Sequence, residues 1–496
     1  ISTRNADRRL RANSFALSPS AHLPRFTVND AGCTMISLDD KRAALAASAS
    51  AAFLTPLMGS SVNIALPSIG REFSMDALSL SWIATSAVLA AAIFLVPFGR
   101  LADIHGRRKI FVYGITTFTA FSLLSGLAPS GAVLILTRAF QGVGAAMIFG
   151  TGIAMLTSAY PVAERGRVLG ISVAATYFGL SLGPFIGGFL TQHLGWRSLF
   201  FMNALLGLCI IVLVLWRLKS EWAEARGEKF DIPGSLLYTV SLTMLMIGFS
   251  KLPGATGMWT LLAGLAGFAA FVAWERRAHK PLLDVTLFAR NVVFAYSNAA
   301  ALINYCATYA VTFLLSLYLQ YIKGLDPQVA GAILVAQPIM MALFSPLAGR
   351  VSDTIEPRVV ASIGMAIISV GLALLAFVGN ETSIVLITIY LLLLGFGFAL
   401  FSSPNTNAVM SSVEKKLYGV ASATLGTMRL TGQMFSMGIV MLIFSLIMGK
   451  TQITPEYYPK FLQSMQLAFS IFSVLCVLGV FASLARGKVR NNQSTM

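Results

Sequence analysis

Along most of this 496-residue chain, polar residues are short punctuation between long apolar blocks. The stretch 464–485, SMQLAFSIFSVLCVLGVFASLA, carries no charge and is long enough to cross about 30 Å of hydrocarbon as a helix. Such blocks recur, so a single buried core helix does not explain them. Each block must satisfy its own backbone polar groups in lipid, which helices do and open sheets do not. The pattern predicts spans at 45–67, 79–99, 110–128, 132–158, 167–192 and 199–216, then at 233–250 and 258–274, and finally at 293–321, 328–348, 359–378, 384–411, 419–448 and 464–485. The fold class expected is an all-α membrane protein of fourteen spans.

Composition narrows the class. Hydrophobic residues make up 56% of the chain and charged residues 11%, against about 25% charged in soluble domains. The net charge of +16 would suggest nucleic acid on a soluble protein. Here the cations instead alternate with the spans. With the N-terminus inside, the inner loops hold Arg100, Arg107, Arg108, Lys109, Arg165, Arg167, Arg217, Lys219, Arg276, Arg277, Arg350 and Arg358 among others, and the outer loops only Arg71, Arg197, Lys251, Lys323, Lys450 and Lys460. A miscount of one helix would invert this bias downstream of the error. An even count is therefore expected, with both tails cytoplasmic, the bilayer and a small molecule as partners and no nucleic acid. Cys33, Cys209, Cys306 and Cys476 show no CxxC spacing, so neither a metal site nor a disulfide framework is read. Residues 1–34 are polar and basic without an apolar segment, and Met35 is read as the biological start.

The strongest local string is GRLADIHGRRK at 99–109, and a diluted copy, GRVSDTIEPR, lies at 349–358. Gly99 and Gly349, 250 positions apart, are each followed by an Arg (Arg100, Arg350) and, at the fourth place, an Asp (Asp103, Asp353). The first copy resembles the signature G-x-L-A-D-x-x-G-R-[KR] of the major facilitator superfamily, on Gly99, Asp103, Gly106, Arg107 and Arg108. The resemblance covers essentially everything after residue 40. It implies two six-helix bundles with a substrate site between them near mid-membrane. The 250-residue offset then leaves room for two extra helices. The organisation expected is a tail at 1–42, bundles at 43–219 and 291–486 flanking the extra pair and its loops at 220–290, and a tail at 487–496. Gly99 is read as a point of close helix approach. Gly99, Asp103, Gly106 and Arg107, with Gly349, Arg350 and Asp353, are read as a latch that holds one conformation. The plainer reading, charges that only fix topology, stays open.

Further strings resemble the family. LILTRAFQGVGAA at 134–146 places Arg138 inside a span, where a charge marks a functional site by default; it could instead bond only to carbonyls of a neighbouring helix. GLSLGPFIGG at 179–188 resembles the antiporter motif of helix five, with Gly179, Gly183, Pro184, Gly187 and Gly188 as a small-residue packing face. GWRSLFFMNALLG, FDIPG, PLLDVTLF, LYLQYIKGLDPQVAG and LGTMRLTGQMFSMGI are similar to segments of the fourteen-helix drug:proton antiporters of the EmrB/QacA type, and the last puts Arg429 inside a span. That family implies drug efflux coupled to protons.

One departure matters. The family carries an Asp in the first span before N-V-A-L-P. In FLTPLMGSSVNIALP, Met58 and Gly59 stand in its place, and all twenty Asp and Glu residues map to tails, loops or helix edges. A positive or neutral cavity follows, suited to neutral or anionic cargo. Arg138, Arg429, Asn63, Gln141, Asn304, Tyr305, Gln337, Asn405 and Asn407 are its candidate lining, each polar side chain alternatively a helix–helix hydrogen bond. The function expected is secondary transport by a monomer: export of drugs or small amphipathic compounds, or import of a metabolite or organic anion. A non-transporting receptor ranks last because the loops are short. No nucleophile–base set or phosphate loop occurs, so neither enzymatic activity nor a cofactor is expected.

Overall fold

The apolar blocks fold as helices. The computed structural model describes residues 38–278, 282–283, 285–414 and 417–487, without the side chains of 162, 163, 285 and 353. The tail at 1–34, Met35 and most of the tail at 487–496 lie outside the described residues, as does the Asp353 side chain. The first helices are α1 (Leu38–Glu72), α2 (Ala77–His105), α3 (Arg107–Gly126), α4 (Gly131–Ala159), α5 (Val162–Leu194) and α6 (Arg197–Arg217). The pair α7 (Ile232–Lys251) and α8 (Ala255–Glu275) follows. After the short α9 (Val285–Arg290) come α10 (Val292–Thr308), α11 (Ala310–Leu317), α12 (Pro327–Leu334), α13 (Ala336–Thr354), α14 (Pro357–Leu375), α15 (Ile384–Ser411), α16 (Tyr418–Ile447) and α17 (Tyr458–Ala485).

Among the described residues thirteen helices, some continuing through a break, are long and apolar enough to cross a membrane. The fourteenth expected span, 110–128, corresponds to α3. Its 20 residues begin Arg-Arg-Lys and continue with Tyr, Thr, Ser and Gly, so it falls short on composition. It nevertheless packs along α4 and α6. Two other expected spans are interrupted. The 293–321 block breaks at Tyr309, where the free amide of Ala310 donates to Ser436 Oγ at 3.0 Å. The 328–348 block breaks at Val335, just before Pro338, which has no N–H to donate.

Helix starts are capped as their residues dictate. Asp76 Oδ1 accepts from Ser79 N–H at 2.8 Å, and Ser130, Asp231, Asn291 and Ser383 play the same part for α4, α7, α10 and α15. Gly106 separates α2 from α3 at φ +120°, a conformation that side chains rarely adopt.

Prolines inside the helices set the cross-helix bonds. Pro67 cannot donate to the Asn63 carbonyl one turn back, and Ser316 Oγ donates to it instead at 2.6 Å. Gln320 Nε2 donates to the next carbonyl, Ile64, at 2.9 Å. Pro97 likewise leaves the Ile93 carbonyl, which the Thr239 hydroxyl of α7 reaches at 3.5 Å, while Tyr238 Oη donates to Ala92 O at 3.1 Å. The pair α7–α8 thus docks on the seam where α2 meets α16.

With the end carrying the 99–109 loop termed the near end, the two bundles meet most intimately at the far end. There α1 meets α11, α5 meets α12, and Ala77 N–H donates to Thr451 O at 3.0 Å.

Candidate functional site

At the near end, Arg107 is 7% exposed and ringed by acceptors. It pairs with Asp103 (2.8 Å), with both oxygens of Glu224 (2.8 and 3.1 Å), with the Ala154 carbonyl (3.2 Å) and with the Ser158 hydroxyl. Glu224 belongs to the loop after α6. Burial alone would raise its pKa, but the Arg107 charge and the Ser158 hydroxyl outweigh that and hold it below the usual carboxylate value. At Gly99 the neighbouring helix does come close, but a Cβ on Gly99 itself would meet nothing within 4 Å. The crowded partner is Gly150 of α4, whose Cβ would lie 3.3 Å from Gly99 Cα. In the second copy, a Cβ on Gly349 would come within 2.9 Å of Ser403 Oγ, and Arg350 is exposed.

In the membrane interior Arg138 is 4% exposed. Its Nη1 donates to Gln141 Oε1 and its Nε to the Ile83 carbonyl at 3.4 Å. Gln141 Nε2 passes the chain on to Ser122 Oγ, which Asn203 Nδ2 also reaches at 3.4 Å. Arg429, on α16, donates to Thr406 Oγ1 at 2.7 Å, and its guanidinium carbon stands 5.6 Å from the centre of the Tyr305 ring. Its Nε is buried and unpartnered. Tyr177 of α5 lies on this side, its hydroxyl 2.9 Å from Ser402 Oγ. Tyr305 and Tyr309 are one helical turn apart.

The other expected lining residues lie at several levels of the bundles. Asn63 contributes its backbone carbonyl to the far-end contact. Asn405 is withdrawn from any cavity: it is 1% exposed, its Nδ2 donates to Ser297 O at 3.1 Å, and its Oδ1 accepts from Arg486 at 2.9 Å. Asn407 bonds Ser352 Oγ at 3.1 Å, beside the second loop copy. Gln337 is 8% exposed, its carbonyl against Gly395 of α15. Asn304 is fully buried with both amide atoms unpartnered.

Arg486, at the end of the last helix, is wholly buried and clips that end to α15 and α14 by donating to Asn405 Oδ1 and, at 2.8 Å, to Pro357 O. Burial draws it down to about 10, so it remains a cation. Sequence reasoning also missed Tyr177, Tyr309 and Glu224. The four-residue step from Tyr305 to Tyr309 was a usable signal for one of them.

The glycines of 179–188 serve two neighbours. Gly179, Gly183 and Gly187 face α1, where a Cβ would collide with Phe53 O, Ser60 Oγ and Ser61 Cα. Gly188 faces the other bundle: its Cβ would strike Pro327 O, and reciprocally a Cβ on Gly331 of α12 would strike Pro184 O.

Comparison with known proteins agrees with this architecture. The family model described as Major Facilitator Superfamily matches residues 48–437 and 297–494. The chain is 34% identical over 388 residues to the multidrug resistance protein Stp of Mycobacterium tuberculosis (strain CDC 1551 / Oshkosh), covering 76% of this chain and 71% of that one. It is 32% identical over 419 residues to the cephamycin export protein CmcT of Amycolatopsis lactamdurans (81% and 84% covered). It is 29% identical over 377 residues to the riboflavin transporter RibZ of Clostridioides difficile (76% and 82%). In fold it resembles a bacterial homologue of the human lysosomal transporter Spinster, inward-facing and unoccupied, with TM-score 0.66 at 16% identity over 91% of this chain and 98% of that one. Folded as paired helical bundles and matched by the family model over nearly its whole length, the chain belongs to the major facilitator superfamily.

Proposed function

We propose that this chain is a secondary exporter of small amphipathic organic compounds, neutral or anionic, working by alternating access. The observation that carries the reading is a pair of arginines inside the spans, one from each bundle: Arg138 of α4, 4% exposed, and Arg429 of α16, half-buried beside the Tyr305 ring. A site addressed by two guanidinium groups suits an anionic group and disfavours a lipophilic cation. Relatives named for multidrug resistance and cephamycin export support the direction of transport.

In this reading α3 is a span despite its cationic start, which makes fourteen with α7–α8 as the extra pair of the drug:proton antiporter type. The bundles are 43–219 and 291–486, the pair and its loops 220–290. Both termini are cytoplasmic, the near end is the inner one, and the protein works as a monomer in the cell membrane. Far-end contact through Asn63, Gly188 and Gly331 makes this an outwardly closed conformation. The 99–109 loop and its copy with Gly349, Arg350 and Asp353 act as the latch, and protons drive export.

A second reading, inward passage of an organic anion or metabolite, is favoured by the same arginines and by the relative named as a riboflavin transporter. Proteoliposomes with an imposed proton gradient test both. Carboxyfluorescein should cross and ethidium should not, Arg138→Ala and Arg429→Ala should each slow the transport, and a protonophore should abolish it. Uptake into everted vesicles supports export; uptake only into right-side-out vesicles supports the second reading. Unchanged transport in both arginine variants, or movement of ethidium alone, would overturn the assignment.

A further inference from the structure

Residues 218–231, between α6 and α7, look in the sequence like a charged spacer. In the structure they form a strap over the 99–109 loop and bond it along its length. The Trp222 carbonyl accepts from Arg107 N–H at 2.8 Å, and Ala225 N–H donates to Asp103 O at 2.9 Å. The Glu221 carboxylate accepts from the N–H groups of Arg108 (2.9 Å) and Lys109 (3.1 Å), the first turn of α3, where the helix dipole favours an anion. A Cβ on Gly106 would come within 2.5 Å of that same carboxyl carbon, so only glycine leaves room for the cap. Glu224 takes both terminal nitrogens of Arg107, and Glu228 pairs with Arg100.

The Arg107–Glu224 pair is lopsided. The Arg107 side chain is 8% exposed and that of Glu224 is 66% exposed. A buried cation stripped of its partner is costly, whereas an exposed carboxylate can swing into water at little cost. The strap is therefore the part free to move. It also leads directly into α7–α8, which is bonded to both bundles: Tyr238 donates to Ala92 O on one side, and Ser445 of the other bundle donates to Leu252 O at 2.5 Å. Any shift of one bundle along the α2–α16 seam pulls on the strap.

We infer that Glu224 is a positioning residue of the transport cycle: it holds Arg107 within the N-terminal bundle while the far end is closed, and the extra helix pair withdraws it when the bundles rock. The inference rests on the proposed latch role of the 99–109 loop. Its test is pulsed electron–electron resonance on the full chain in nanodiscs, with spin labels at Arg167 and Ile355, exposed positions at the near end of the two bundles. Arg107→Ala should shift the distance distribution away from that of the unaltered latch. Glu224→Gln should shift it in the same direction, Glu224→Asp should restore it, and the Arg107→Ala/Glu224→Gln double variant should match Arg107→Ala alone. If Arg107→Ala shifts the distribution while Glu224→Gln does not, or if the two shifts add, the strap inference fails and the latch stands. If Arg107→Ala itself changes nothing, the latch reading fails and the inference with it.

Discussion

The Arg429 guanidinium carbon lies 5.6 Å from the centre of the Tyr305 ring, and its Nη2 donates to Thr406 Oγ1 at 2.7 Å. The ring face holds the cation without neutralising it, so the positive charge stays available to a ligand. Tyr305→Leu removes that support. A cation–π contact of about 0.5–2 kcal/mol corresponds to a loss of roughly 2–30-fold in apparent affinity for carboxyfluorescein. Tyr305→Phe keeps the ring and should retain most of it. Equal affinities for Tyr305→Leu and the parent protein, measured in proteoliposomes, would remove Tyr305 from the site.

Gly142 and Gly99 should respond oppositely to alanine. A Cβ on Gly142 collides with the Ala87 backbone, whereas one on Gly99 meets nothing within 4 Å. Gly142→Ala should cost about 1–3 kcal/mol and visibly lower the melting temperature in detergent. Gly99→Ala should leave it unchanged. A slowed transport rate in Gly99→Ala would then place the crowding at Gly99 in the opposite conformation of the cycle.

Arg486→Met strips Asn405 and Pro357 of their donor in a buried site. A buried acceptor left unsatisfied costs about 1–3 kcal/mol each. Unfolding followed by intrinsic fluorescence should show that loss, and pairing the change with Asn405→Leu should recover part of it. A double variant less stable than Arg486→Met alone would contradict the clip.

The strap should withstand mild acid. Glu224 titrates below the ordinary 4.5 of its carboxyl, so its contribution is present above the unfolded value and is lost only as pH falls through the lower folded one. Trp222 fluorescence should stay constant from about pH 8 to about pH 5 and change below that. Glu224→Gln should lack the acid step, and an unaltered step there would assign the transition to another group.

Much of this was legible because lipid imposes one rule on the backbone. Uninterrupted apolarity located the helices, and the spacing of Gly99 and Gly349 suggested the pairing of bundles. What escaped depended on relations across the fold. α3 reads as a span by position, but its opening Arg107, Arg108 and Lys109 belong to the loop cluster. Arg486 looks like one more cytoplasmic cation, and only the carbonyl of Pro357 and the amide of Asn405, remote in sequence, draw it inside. The interruption at Tyr309 has no proline or glycine to announce it, since it is supported by the distant Ser436 hydroxyl.

The reciprocal contact of Pro184 and Gly331 with Pro327 and Gly188 has a bearing on motion as well as on packing. Main chain lies against main chain there, because each glycine leaves no side chain between the two helices. A carrier whose far side is sealed by bulky side chains leaks whenever one of them changes rotamer. A contact made of peptide backbone has no rotamers, so in the proposed alternating-access cycle it would stay shut while the side chains around it fluctuate.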